Sequence, residues 1–160
     1  MREINKIIVH HSFTADHELL SSFDAIKRYH MNNNGMQNIA YHYVIEFVNS
    51  KPYVHVGRSL ETTGAHCKNQ NETSIGICIV GNFDIETQAI EIENKLVDLC
   101  DALMRKFQIG IFNIFPHHFF APYKSCPGHK FDWTRFIINL HIRNTLDIST
   151  DENEKILKGA

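Results

Sequence analysis

The segment from Phe115 to Gly128 carries three side chains with useful chemistry within nine residues: an imidazole at His118, an ammonium at Lys124 and a thiol at Cys126. Three prolines and a glycine interrupt this segment. Because proline fixes φ and donates no backbone hydrogen bond, neither a helix nor a central strand can run through it. The sequence therefore predicts a strand end followed by a rigid loop, a common place for chemistry on a firm scaffold.

A histidine and a cysteine on such a loop can both bind one zinc ion, but two ligands do not hold a zinc. The apolar run that starts at Lys6 ends in His10 and His11. Neighbours on a strand point to opposite faces, so only one of these two imidazoles can face a given site. Three candidate ligands stand out: His10, His118 and Cys126. Three protein ligands with an open fourth position are typical of a catalytic zinc.

The elements that must position these side chains follow from the hydrophobic pattern. Apolar β-branched runs predict strands, and apolar residues three or four apart predict helices. A helix ending at Asn32 to Gly35 follows the first strand, and Asp132 is placed to cap the last helix. The order is strand, helix, hairpin, central strand, helix, strand, helix. This predicts an α/β fold with a central mixed β-sheet of about five strands flanked by helices.

Composition places further bounds on the protein. The 160 residues suit one domain, which we assign to residues 1–148, followed by a charged tail at 149–160 that is expected to fray. A net charge of −2 without a long basic run argues against a nucleic-acid partner. No stretch reaches the roughly 20 apolar residues of a membrane span. The four cysteines are scattered, so free thiols or a metal ligand are expected rather than a disulfide framework.

Several separated blocks of the sequence form one ordered pattern. They are Ile8-Val9-His10-His11-Ser12, Ile39-Ala40-Tyr41-His42-Tyr43-Val44-Ile45, Gly57-Arg58, Gly64-Ala65-His66, Ser74-Ile75-Gly76-Ile77, and His118 followed eight residues later by Cys126-Pro127. In this order they resemble the zinc-dependent N-acetylmuramoyl-L-alanine amidases, a family that includes the amidase-type phage lysozymes, or endolysins, and the peptidoglycan recognition proteins. The resemblance runs from about Ile7 to about Trp133.

The resemblance implies the amidase fold, one catalytic Zn²⁺ on His10, His118 and Cys126, and catalytic roles for Tyr41 and Lys124. Lysine at 124 favours the phage-lysozyme branch, because the recognition-protein branch commonly has threonine there. The resemblance also places two further residues, His66 and Arg58, near the substrate groove. The neighbouring histidines His11 and His117 are expected to point away from the site, and His42 is expected to be structural.

The implied reaction is zinc-dependent hydrolysis of the amide bond between the lactyl group of N-acetylmuramic acid and L-alanine in peptidoglycan. Without an export signal, the chain is expected to be made in the cytoplasm and to act on the cell wall after release, as a monomeric phage or prophage endolysin.

Three alternatives stay open. The first is a module that binds muropeptides without cutting them, and the second is a cytoplasmic amidase that recycles muropeptides. Recycling amidases usually carry Asp where this chain has Cys126. The third is a structural zinc domain, in which His117 is the convenient fourth ligand.

Overall fold

The computed structural model describes residues 2–15 and 22–146 and contains a mixed five-stranded sheet. Across the sheet the strand order is β3-β2-β4-β1-β5. Strands β1, β2, β4 and β5 pair in parallel, and β3 pairs antiparallel with β2 as a hairpin. The strand bounds are β1 Lys6–His11, β2 Tyr43–Val48, β3 Lys51–Val56, β4 Ser74–Ile79 and β5 Ile114–Pro116.

Three helices cover the two faces of the sheet: α1 Ser22–Asn34, α2 Ile90–Phe107 and α3 Trp133–Thr145. Helices α2 and α3 contact each other, and α2 lies on β2 and β3, whereas α1 contacts β2. Two single turns of 3₁₀ helix, at Ile111–Asn113 and His117–Phe119, flank β5. Among the described helices, none is both long and apolar enough to span a membrane.

The two faces of the sheet bury different sets of side chains. Ile7 and Val9 of β1 belong to the large core under α2 and α3, together with Ile75 and Ile77 of β4. A smaller cluster on the opposite face contains Cys78 and is contacted by residues of α1. Because side chains alternate along a strand, His10 points to the α1 face, beside its register partner Cys78. The candidate ligand His10 therefore lies on the face of the sheet that carries the smaller buried cluster.

The predicted α/β class, the element order and the mixed five-stranded sheet are confirmed. Helix α1 ends at Asn34 as predicted, and Gly35 follows it with φ of 65°, in the left-handed region. Asp132 caps α3, because its carboxylate accepts a hydrogen bond from the Arg135 backbone N–H at 3.0 Å. The predicted charged tail at 149–160 lies outside the described residues.

Candidate metal centre

Strand β1 and the segment after β5 bring two imidazoles and a thiol together. His10 is the penultimate residue of β1, which lies between β4 and β5 in the sheet. Strand β5 ends at Pro116, and His117 opens the 3₁₀ turn that follows it. The loop then returns, and the His118 backbone N–H donates to the Cys126 carbonyl at 2.8 Å. This return places Cys126 beside the end of β1.

The side chains of His10, His117 and Cys126 offer one ligand atom each, and these three atoms lie within 4.8 Å of one another. Cys126 Sγ is 3.7 Å from His10 Nδ1, and the rings of His10 and His117 have their centroids 4.3 Å apart. All three residues are buried. Within residues 2–15 and 22–146, this is the one cluster of three or more such groups. Two imidazole nitrogens and a thiolate are a donor set that suits zinc.

The structure corrects one member of the predicted ligand set. His118 is exposed and lies outside the cluster, whereas His117 is buried within it, so both the ligand prediction for His118 and the expectation that His117 points away are wrong. The reason is the early end of β5 at Pro116, after which the 3₁₀ turn directs His117 inward and His118 outward. The ring of His118 instead contacts the Cys126 carbonyl, with Nδ1 at 3.1 Å.

Burial sets the protonation of all three candidate ligands in the metal-free protein. It lowers the pKa of His117 to about 4, assisted by the charge of Lys124. Burial also lowers the pKa of His10 well below its usual value, with further contributions from His66 and His117. It raises the pKa of the Cys126 thiol to about 12. At neutral pH both imidazoles are therefore unprotonated and ready to bind a metal, whereas the thiol still carries its proton.

A cleft of about 530 Å³ opens onto the cluster, and Tyr41 and Lys124 both line it. The Tyr41 ring centroid is 5.1 Å from that of His10. Burial raises the pKa of Tyr41 well above its usual value, and the thiols of Cys78 and Cys126 add to this effect. The Tyr41 hydroxyl therefore stays protonated and can donate a hydrogen bond at any physiological pH.

The two residues that the resemblance placed near a substrate groove have different surroundings. His66 is buried at the edge of the cleft, which it helps to line, and its Nδ1 lies 3.0 Å from His10 Nε2. Arg58 donates from Nε to the Ile39 carbonyl at 2.6 Å and from Nη1 to the Thr63 carbonyl at 2.8 Å. It is not among the residues that line the cleft. In this structure Arg58 holds the backbone of neighbouring loops.

The other histidines of these motifs make hydrogen bonds to the backbone. His11 Nδ1 accepts from the Phe83 N–H at 3.2 Å, so His11 lies outside the ligand set as predicted. His42 Nδ1 accepts from the Gly76 N–H at 3.0 Å, and its Nε2 is 3.1 Å from the Thr62 carbonyl. Its structural role is therefore also confirmed.

The loop that carries Ser125 and Cys126, here called the cysteine loop, is anchored by contacts that were not predicted. Asp84, in the loop after β4, accepts a hydrogen bond from the Ser125 hydroxyl at 2.7 Å and from the His129 N–H at 2.9 Å. These hydrogen bonds, with that of Ser125 first, lower the pKa of Asp84. The partners are more than 40 residues apart in the chain, so no local pattern in the sequence could have indicated the pairing.

Comparisons with known proteins show which family and which solved fold the chain is similar to. A family described as N-acetylmuramoyl-L-alanine amidase matches residues 1–129. The endolysin of Klebsiella phage KP32 is 29% identical over 148 residues, covering 84% of this chain and 86% of its own. The endolysin of Escherichia phage T7 is 30% identical over 117 residues, covering 69% and 71%. The solved amidase LysC from Clostridium intestinale superposes with a TM-score of 0.74 at 24% identity, covering 88% and 87%.

Proposed function

The chain belongs to the N-acetylmuramoyl-L-alanine amidase family, and on that premise we propose that it is a zinc-dependent peptidoglycan amidase. The bond cut is the amide between the lactyl group of N-acetylmuramic acid and L-alanine. His10, His117 and Cys126 hold the metal, and the cleft beside them receives the substrate amide.

The observation that carries this proposal is the convergence of two imidazoles and one thiol at the floor of an open cleft. Three protein ligands beside an accessible cleft leave room for water and substrate, as in catalytic rather than structural zinc sites. When bound in such a site, zinc lowers the pKa of a water molecule to roughly 7 and polarises a substrate carbonyl. The chain itself supplies the shape of the site and the donors around it.

Tyr41 and Lys124 carry the hydrogen-bond donor and the cation that amide hydrolysis requires. The carbonyl oxygen of the scissile amide gains negative charge as it is attacked, and hydrogen-bond donors or cations aimed at it stabilise that charge. Lys124 brings an ammonium to the cleft from the loop that carries Cys126. Tyr41 keeps its proton because burial raises its pKa, so its hydroxyl can donate to the same oxygen.

A digestion of purified sacculi tests the proposed reaction. The amidase releases new amino termini on L-alanine and no new reducing sugar ends, and a strong chelator abolishes the release. New reducing ends would show glycosidase chemistry instead. A protein that binds sacculi and releases nothing, with zinc supplied in excess, would show a recognition module and overturn the proposal.

Replacing Tyr41 or Lys124 separates their roles from that of the metal ligands. Tyr41→Phe and Lys124→Met are each expected to lower kcat by about 10² to 10³, the usual loss for one donor to a developing oxyanion. Both variants should keep one bound zinc, as measured by atomic absorption. An equal loss of zinc and activity in either variant would contradict these roles.

Two of the relatives named above are phage endolysins, and this supports the proposal that the chain degrades intact cell wall after release from the cytoplasm of a phage-infected host. An endolysin cuts insoluble, cross-linked sacculi, whereas an amidase that recycles muropeptides prefers small soluble fragments. Rates on sacculi and on a purified soluble muropeptide, measured side by side, distinguish the two. A strong preference for the soluble fragment would favour the recycling amidase.

A further inference from the structure

We propose that His66 is a positioning residue that fixes the tautomer of His10 through a buried hydrogen-bond relay running from His10 to His66, Ser74 and the Gln70 carbonyl. The proposal rests on the zinc site described above, because it concerns which ring nitrogen of His10 is offered to the metal. It changes the role of His66 from contacting substrate to orienting a ligand.

The direction of the relay is set at its far end. The Ser74 hydroxyl donates to the Gln70 carbonyl at 2.7 Å, and a carbonyl oxygen can only accept. That bond uses the one proton of the hydroxyl, so Ser74 Oγ can only accept from His66 Nε2, which lies 3.3 Å away. A neutral imidazole carries one N–H, so a proton on Nε2 leaves His66 Nδ1 as an acceptor.

The same reasoning passes from His66 to His10. His66 Nδ1 is 3.0 Å from His10 Nε2, so the proton in this contact belongs to His10. His10 Nδ1 then carries a lone pair, and this is the nitrogen that faces the Cys126 sulfur at 3.7 Å. The relay therefore holds His10 in the one tautomer that can bind a metal together with Cys126. An N–H on Nδ1 would block the site.

The sheet is shaped to hold the His66 ring in this place. Residues Ser74 and Gly76 of β4 and His10 of β1 share one face, because Gly76 pairs with Ile8 and Cys78 with His10. The His66 ring lies directly over Gly76, where an added Cβ would be 2.4 Å from ring atoms Cγ and Cδ2. A Cβ at Gly64 would be 2.6 Å from Cδ2. The two glycines thus form a slot for a flat ring.

The loop that carries His66 is fixed as well. The Asn71 side-chain oxygen accepts from the backbone N–H groups of both His66 and Cys67, each at 2.9 Å. His10, His66 and Ser74 are all buried, so bulk water competes little for their hydrogen bonds. With both ring nitrogens engaged inside the protein, His66 is better placed to orient His10 than to bind substrate.

Zinc affinity without substrate gives the first test. We expect His66→Leu to weaken zinc binding by about 10- to 100-fold in competition with a fluorescent chelator, the usual loss for a residue that orients a metal ligand. His66→Asn, whose side-chain oxygen can accept from His10 Nε2, should recover most of that loss. Ser74→Ala should weaken binding less than His66→Leu does. His141→Asn, at an exposed position of α3, is the control and should bind zinc like the unmodified chain.

The second test reads the tautomers directly in zinc-free protein labelled with ¹⁵N-histidine. Long-range ¹H–¹⁵N spectra should show the proton on Nε2 in both His10 and His66. A proton on His66 Nδ1 would overturn the relay even if the leucine variant fails to fold. If the unmodified chain binds no zinc, the proposed metal site itself fails. If it binds zinc and His66→Leu binds equally well, only the relay fails.

Discussion

His117 and His118 are neighbours in the chain, yet their imidazoles have opposite surroundings. The His117 ring is buried against His10, with centroids 4.3 Å apart. The His118 ring is exposed, and its Nδ1 contacts a backbone carbonyl. The two residues therefore allow a matched comparison, in which an imidazole is removed from the buried position in one variant and from the exposed position next to it in the other.

We expect His117→Ala to lose the bound zinc and all measurable turnover, because two remaining ligands do not hold the metal. His118→Ala should keep one zinc per chain and near-normal activity on sacculi. Metal content by atomic absorption and release of L-alanine amino termini measure both. The reverse result, with zinc lost only from the His118 variant, would restore His118 as the ligand.

The pKa values of the site predict how zinc uptake depends on pH. His117 has its pKa lowered to about 4 and that of His10 is also low, so neither releases a proton when metal binds above about pH 5. The Cys126 thiol, with its pKa raised to about 12, must lose one. Apparent zinc affinity should therefore rise about tenfold per pH unit from about pH 5 to 6.5.

Calorimetry in two buffers with different ionisation enthalpies counts the protons released on zinc binding. About one is expected in that pH range. A count near three would mean that both imidazoles are protonated in the metal-free protein. A count near zero would mean that the thiol is already ionised, contrary to the effect of its burial.

Sequence reasoning predicted Cys126 and His10 as ligands, and the structure brings these two residues together, but with His117 rather than the predicted His118. The reason for this difference is physical. Val9 pairs with Pro116, the last residue of β5, so His117 lies next to His10 at the point where the strand ends and the 3₁₀ turn begins. That register depends on contacts between distant strands. Ile114 and Phe115 are both apolar, so the pattern of a three-residue strand does not show which of them faces the core.

At the scale of elements, one buried carboxylate joins α2 to α3. Glu93 of α2 is fully buried and accepts from the Arg135 guanidinium of α3, with Nη2 at 2.7 Å and Nε at 2.9 Å from one oxygen. The side-chain amides of Gln88 and Asn139 donate to it as well, each at 2.9 Å. A buried charge held in this way is costly to leave unpaired.

Removing the guanidinium with Arg135→Met should lower the free energy of unfolding by about 2 to 4 kcal/mol, because Glu93 keeps only its two neutral donors. Urea unfolding with a chelator present measures this loss without a contribution from zinc. The double variant with Glu93→Gln should lose less than Arg135→Met alone, since no charge is then left unpaired. A loss below about 1 kcal/mol would mean that the pair behaves as an exposed one.

Elements were predicted well where the signal is local. The apolar runs of β1 and β4, the apolar residues along one side of α2 and the cap at Asp132 are each visible within a single short segment of sequence. The start of α1 shows the opposite case. Its first backbone N–H groups, at Ser22 and Phe23, donate to the carboxylate of Glu46 on β2. A partner more than 20 residues away cannot be read from capping patterns, which describe only neighbours.

For the whole molecule, the core and the candidate metal centre occupy opposite faces of the sheet. Among the residues that the structure describes, the larger core contains 22 buried ones, and none of the three candidate ligands is among them. The cysteine loop is also anchored without metal, through Asp84 and Ser125. Folding should therefore proceed without zinc, unlike that of small zinc fingers, whose metal replaces a core.

Zinc should nevertheless raise the melting temperature, because it binds only the folded arrangement, in which His10 meets two residues more than 100 positions away in the chain. At a free zinc concentration 1,000 times the dissociation constant, the gain is about 4 kcal/mol. For a chain of this size that corresponds to roughly 10 °C.

Scanning calorimetry should show one cooperative transition in excess chelator and a higher one with buffered zinc. His117→Ala should melt at the lower temperature in both conditions, whereas Arg135→Met should start lower and keep the full zinc-dependent rise. A chain that shows no cooperative transition in chelator would mean that the metal is part of the folding core, contrary to the separation of the two faces.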